Sequence, residues 1–289
     1  MGSKTSKTGR LRRKGTLAAI IAVVIVAALS IGAYAFLTDG RTVASGDMVR
    51  VDYIGKLPNG QVFDTSLYAV AVDNATYPKS LFFNFRGDES TYGTLNFTVG
   101  KGQMIPGFEK GVLGMKVGET KTLVIPVEQA YGQANESKIT AMNLTETIPA
   151  NKQMGVDEFR SYFGVAPSQF TLYTDPNYGW TVYTGLVDSS KVMVQNQPVN
   201  GSVYHAFGSP SDPSYGWNVT AEYDASGENI VLRHHLNASS AMSVKGIDEA
   251  RTKFYVKSVD ETAGTAIIDR NNQILGVELT FIVTLISIG

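Results

Sequence analysis

Apolar and polar residues alternate from Met48 to Ile54, with Val49, Val51 and Tyr53 on one side and Arg50 and Asp52 on the other. That period of two predicts a half-buried strand. Leu57-Pro58-Asn59-Gly60 predicts a turn, because Pro fixes φ and Asn-Gly tolerates positive φ, and a second strand follows through Val62 and Phe63. Residues 65–94 hold many aromatics and turn formers without periodicity and read as a long loop or flap. Leu95 to Val99 resumes as a strand and Gly100-Lys101-Gly102 breaks it. Ile105-Pro106-Gly107-Phe108-Glu109 then starts a short helix that runs to about Met115, with Phe108, Val112 and Met115 at helical spacing. Val117-Gly118-Glu119 turns into a strand from Thr120 to Pro126, and Val277, Leu279, Phe281, Val283 and Leu285 alternate into a terminal strand.

Between about Gly132 and Arg270 the pattern changes character. It predicts a short helix over Val156 to Phe163, then strand-like runs separated by Gly, Pro, Asn and Asp. Asp175-Pro176-Asn177-Tyr178-Gly179-Trp180 recurs 37 residues later as Asp212-Pro213-Ser214-Tyr215-Gly216-Trp217. Two copies are too few for a solenoid and read as a duplicated strand-turn unit inside one inserted β-rich domain. Phe159, Tyr162, Phe163, Phe170, Tyr173, Tyr178, Trp180, Tyr204, Phe207, Tyr215 and Trp217 give this stretch a large aromatic supply. It suits either a promiscuous binding surface or a larger core. All three histidines, His205, His234 and His235, lie here, but neighbours i and i+1 on a strand face opposite ways, so the His-His pair does not predict a metal site.

Ahead of the alternating region, Thr16 to Leu37 carries no charge and is almost wholly apolar, about the ~20 residues that cross a bilayer as a helix. Lys4, Lys7, Arg10, Arg12, Arg13 and Lys14 precede it, with no acidic residue before Asp39. The positive-inside rule then places residues 1–15 in the cytoplasm and the rest of the chain outside. A cleaved signal peptide is the competing reading, but its apolar region would span only ~7–15 residues. Over the whole chain Lys+Arg 25 against Asp+Glu 26 gives a net charge of -1, so no general basic field recruits nucleic acid. The absence of cysteine rules out disulfides, thiol catalysis and thiolate-bound zinc. Asn-X-Ser/Thr triplets begin at Asn74, Asn96, Asn135, Asn143, Asn200, Asn218 and Asn237, which is compatible with a glycosylated exterior.

Five ordered motifs carry a family resemblance: Val51-Asp52-Tyr53-Ile54-Gly55, Val62-Phe63-Asp64-Thr65-Ser66, Phe97 to Glu109 (FTVGKGQMIPGFE), Gly114-Met115-Lys116-Val117-Gly118-Glu119 and Ala130-Tyr131-Gly132. Together they resemble the FKBP-type peptidyl-prolyl cis/trans isomerases. Asn271 to Phe281 (NNQILGVELTF) resembles the last strand of the SlyD-like subgroup, which interrupts its catalytic domain after Ala-Tyr-Gly with an insert-in-flap domain. The resemblance implies an α+β fold, a twisted antiparallel sheet around a short helix, carrying an inserted β-rich domain, to which the apolar run adds an N-terminal transmembrane helix. Together these readings divide the chain into a basic tail at 1–15, a membrane helix at 16–37, a linker at 38–46, a catalytic domain at 47–132 and 270–289, and an insert at 133–269.

The matched motifs imply a pocket of Tyr53, Phe63, Asp64, Met104, Ile105, Phe108, Tyr131 and Phe281. Tyr53, Phe63, Phe108 and Phe281 would enclose the proline ring, and Met104 and Ile105 would line the entrance. The Ile105 N–H and Tyr131 hydroxyl would hold substrate carbonyls. Asp64 would lie at the edge, orienting Tyr53 or acting on substrate. Phe108 stands where many members carry tryptophan, Leu95 where a rim aromatic often lies, and Asn272 in place of the subgroup's usual histidine. The implied activity is prolyl isomerisation with chaperone assistance, acting without a cofactor on X-Pro segments of newly exported proteins at the outer membrane face. A catalytically silent peptide-binding module on the same fold is the alternative. Hydrolase chemistry is disfavoured, because Gly-x-Ser-x-Gly and His-Glu-x-x-His are both absent.

Overall fold

The computed structural model describes residues 40–209 and 211–289, so the apolar run at 16–37 and the basic residues before it lie outside the described residues. No helix among the described residues is long and apolar enough to cross a membrane. Contacts divide the chain into two units. One holds the described residues up to Gln133 with Gln273–Gly289, and the other is Ala134–Asn272.

In the first unit the alternating segments form strands β1 (Met48–Lys56), β2 (Val62–Thr65), β3 (Leu95–Thr98) and β4 (Thr120–Ile125) and a closing strand (Leu279–Ile288). The sheet is antiparallel in the order β2, β1, closing strand, β4, with β3 also paired to β1. The closing strand is central because it buries Leu279, Phe281, Val283 and Leu285 on one face, meeting Val49 and Val51 of β1 in a single core. The loop at 65–94 contains a short helix, α1 (Tyr68–Val72), which the sequence pattern does not reveal. Helix α2 (Pro106–Val112) opens with Pro at its first turn, where no N–H is needed, and buries Phe108 and Val112. It ends before Met115, since Leu113 leaves helical geometry. Its approach to β4 requires two glycines. A Cβ on Gly107 would meet Ile125 Cγ2 at 2.3 Å, and one on Gly111 would meet Leu123 Cδ1 at 2.4 Å, closer than packed atoms allow.

The second unit is built of strands β5 (Ile139–Asn143), β6 (Thr145–Pro149), β7 (Asn151–Gly155), β8 (Leu172–Thr174), β9 (Thr181–Val187), β10 (Lys191–Gln197), β11 (Ser202–Ala206), β12 (Trp217–Tyr223), β13 (Asn229–His234), β14 (Lys245–Ile247), β15 (Lys253–Asp260) and β16 (Thr265–Asp269), with helix α3 (Val156–Phe163) as expected. They form three four-stranded sheets, β7-β10-β9-β8, β11-β12-β13-β6 and β14-β15-β16-β5. One apolar core joins residues of all three. The aromatic supply goes mostly there: Phe159, Tyr178, Trp180 and Trp217 are buried in it, Tyr162, Phe163, Tyr173, Tyr204 and Phe207 pack against it, and Tyr215 is buried outside it. Phe170, by contrast, is exposed. Of the two readings of these aromatics, the larger core therefore accounts for all but Phe170 and Tyr215. In both copies of the repeated motif the Asp side chain caps its own turn, Asp175 accepting from the N–H of Asn177 and Tyr178, Asp212 from that of Ser214. His234 faces inward, where its Nδ1 accepts from Trp217 Nε1, and His235 faces out.

Candidate active site

Five of the eight candidate residues, Tyr53, Phe63, Asp64, Phe108 and Phe281, come into contact in the first unit. Phe281 is the hub, with ring centroids 5.2 Å from Phe108, 5.5 Å from Phe63 and 6.3 Å from Tyr53. Most of these contacts are edge-to-face, the arrangement that ring quadrupoles favour. Phe108 and Phe281 are buried, whereas Tyr53 and Phe63 are half-exposed. The rings thus form an apolar floor and two walls open to the surface. Local pairing aligns them: Gly55 lies between Phe281 of the closing strand and Asp64 of β2. Phe97 supports the floor from β3, 5.8 Å from Phe108.

Polar groups edge this apolar box. Tyr53 Oη donates to Asp64 Oδ2 at 2.6 Å, and Arg86 donates to Asp64 Oδ1 at 2.8 Å and to the Thr65 carbonyl. Arg86 also lies over the Tyr92 ring at 4.7 Å, and its backbone N–H donates to Tyr92 Oη. Burial, joined by the Asp64 carboxylate, pushes the Tyr53 phenol far above its ordinary pKa. Burial works against the Arg86 charge, but the bond to Asp64 outweighs it and raises that pKa. Asp64 is therefore held by both a phenol and a guanidinium, as suits an orienting group more than a free base.

Two of the candidate donors have no hydrogen-bond partner among the described residues: the Tyr131 hydroxyl and the Ile105 backbone N–H. Tyr131 is 45% exposed. Burial of its other side and the Asp64 charge raise its pKa, so it keeps its proton. Ile105 precedes α2 and its carbonyl accepts from Phe108 and Glu109, so its N–H is fixed in direction. The buried Glu109 carboxylate holds the preceding loop by accepting from the N–H groups of Gly100, Gln103 and Met104. Burial alone would raise its pKa, but those donors lower it. Met104 packs on the core and lines a neighbouring cavity of about 260 Å³ with Val99, Pro106 and Leu113.

Arg86, Tyr92 and Gly55 belong to this site and do not stand out in the sequence as site residues. Arg86 and Tyr92 fall in the aperiodic 65–94 stretch. The available signal was scarcity: Arg86 and Lys79 are the only cations between Lys56 and Lys101.

A family model described as FKBP-type peptidyl-prolyl cis-trans isomerase matches residues 39–154. The chain is 42% identical over 97 residues to the short-type peptidyl-prolyl cis-trans isomerase of Methanocaldococcus jannaschii, covering 34% of this chain and 55% of that protein. It is also 42% identical over 96 residues to FK506-binding protein 4 of Chaetomium thermophilum, covering 33% of this chain and 15% of that protein. FK506-binding protein 2 of Yarrowia lipolytica is 33% identical over 118 residues, covering 39% of this chain and 67% of that protein. This chain belongs to the FKBP-type peptidyl-prolyl cis-trans isomerase family. The FKBP match takes in Tyr53, Phe63, Asp64, Arg86, Met104, Ile105, Phe108 and Tyr131, and Phe281 joins them from the far end of the chain through strand pairing. The chain spans about half the length of its Methanocaldococcus relative.

Proposed function

We propose that this chain catalyses cis/trans rotation of X-Pro peptide bonds in proteins outside the cytoplasm, as a membrane-anchored member of the SlyD-like subgroup. The observation that carries the catalytic reading is the cluster of Tyr53, Phe63, Phe108 and Phe281, two buried and two partly exposed, in a unit that also offers unpartnered donors at Ile105 and Tyr131. Rotation faces ~18–20 kcal/mol because amide resonance must break, and uncatalysed exchange takes ~10–100 s. The twisted amide has less charge separation than the planar one, so an apolar, water-poor box favours it differentially. The Ile105 N–H and Tyr131 hydroxyl hold carbonyls of the substrate backbone so that the prolyl bond turns in a fixed frame. Asp64 and Arg86 fix Tyr53 as a wall. No bond to hydrogen is made or cut, and no cofactor is needed.

The anchor reading rests on the uncharged run at 16–37 behind six basic residues. The chaperone reading rests on the second unit, whose sheet β7-β10-β9-β8 leaves Phe170, Leu172, Leu186 and Met193 exposed on or beside its strands. Exposed apolar side chains of this kind suit transient capture of unfolded chains. The catalytic test is cis/trans exchange of a short X-Pro peptide by NMR with the full chain in detergent. Faster exchange, lost in Phe63→Ala and reduced in Tyr131→Phe, is the expected result. A folded parent that does not accelerate exchange would overturn the enzyme reading in favour of a silent peptide-binding module.

A further inference from the structure

With 47 Ser and Thr in 289 residues, chance would give roughly two or three Asn-X-Ser/Thr triplets among the 15 asparagines, but there are seven. Their distribution in the folded chain is selective too. Asn74, Asn96, Asn135, Asn143, Asn200, Asn218 and Asn237 are all exposed, whereas Asn177, Asn196 and Asn271, outside such triplets, are buried. Among the described residues none of the seven side-chain amide nitrogens has a hydrogen-bond partner. Outside the triplets, Asn59, Asn196, Asn229 and Asn271 donate theirs to the protein.

Local geometry strengthens the case at particular sites. At Asn135 and Asn237 the serine two places on donates its hydroxyl to the asparagine Oδ1, at 2.7 and 2.6 Å, and its backbone N–H does the same. The amide is held by the residue that completes the triplet, and Nδ2 stays unengaged. Asn74 lies in a turn held by the Asp73 carboxylate, which accepts from Ala75 and Thr76 N–H. Asn96 on β3 and Asn143 on β5 occupy strands paired on one side only. Bulk there would block the edge-to-edge pairing that open strands invite.

We propose that these exposed asparagines, led by Asn74, Asn135 and Asn237, are N-glycosylation sites. The donor class is a polyprenyl-phosphate-linked oligosaccharide. Nδ2 bonds to the anomeric carbon, the C–O bond to phosphate breaks with its electron pair leaving on the polyprenyl phosphate, and the proton the amide gives up passes to that leaving phosphate. None of the seven belongs to the candidate active site, so the modification changes no pocket side chain. The proposal rests on the extracytoplasmic placement above.

The test is glycopeptide mass spectrometry on the full chain purified from the membranes of the cells that make it, beside protease treatment of those intact cells. Peptides bearing Asn74, Asn135 and Asn237 should carry a glycan mass. Each of Asn74→Gln and Thr76→Ala should remove one glycan from the intact mass without changing peptide exchange. A chain cleaved from outside but unmodified at all seven overturns glycosylation and leaves the placement standing. A chain protected from external protease and unmodified overturns both.

Discussion

A methyl group on Gly55 would sit 2.7 Å from Phe63 Cζ and 3.0 Å from Phe281 Cε1. Both rings are walls or floor of the proposed pocket, so the smallest substitution at a position that touches no substrate should spoil it. Gly55→Ala is expected to lower kcat/KM for an X-Pro peptide by about tenfold or more, roughly 1.4 kcal/mol of transition-state stabilisation. Far-UV circular dichroism should stay unchanged. Unaltered kcat/KM in a variant with shifted aromatic NMR signals would show that ring position does not control rate. The ring residues are legible in the sequence because each stands in a short ordered motif. Gly55 lies in one of those motifs too, but its role depends on two rings brought beside it by strand pairing. Arg86 is harder still, since it reaches Asp64 from 22 residues away along the chain, out of a stretch with no period.

Strands of the first unit could be read from alternation because one face of each is buried, and α3 could be read to the residue. Helix α1 could not: Tyr-Ala-Val-Ala-Val is five residues long, too short to show helical periodicity, and rich in strand formers. The approach to α2 is held by charge. Glu109 is buried and its pKa is lowered from 4.5 by N–H donors that outweigh burial. A carboxyl whose folded pKa is depressed stabilises the fold above its unfolded pKa, and that contribution is lost as pH falls through the folded value. Glu109→Gln should therefore lower the urea midpoint at pH 7, and the gap from the parent should narrow as pH drops below about 4.5. Urea titrations at pH 7, 5 and 3.5 measure it. A gap that stays constant with pH would mean that the carboxylate charge contributes nothing and that only its shape matters.

Over the whole molecule, the change of pattern near Gly132 falls beside the division of contacts after Gln133, but the construction of the second unit was not legible, because its sheets pair strands that are far apart in sequence, β5 with β16 and β6 with β13. Its two ends are nevertheless simple. Within the first unit the Gly276 N–H donates to the Gly132 carbonyl at 2.8 Å, so the chain leaves and returns at neighbouring points. The core of that unit, from Val43 to Leu285, draws on no residue between Gln133 and Gln273. Replacing Ala134–Asn272 by a short Gly-Ser turn should thus leave a cooperatively melting protein whose exchange of a small X-Pro peptide stays within about threefold of the parent. If the second unit captures clients, the same variant should lose about tenfold or more in proline-limited refolding of a protein, where local concentration of substrate near the pocket governs the rate. Stopped-flow refolding and NMR exchange on one preparation separate the two effects. Equal losses in both assays would mean that the pocket itself depends on the insertion, and no loss in either would leave the second unit without a part in catalysis.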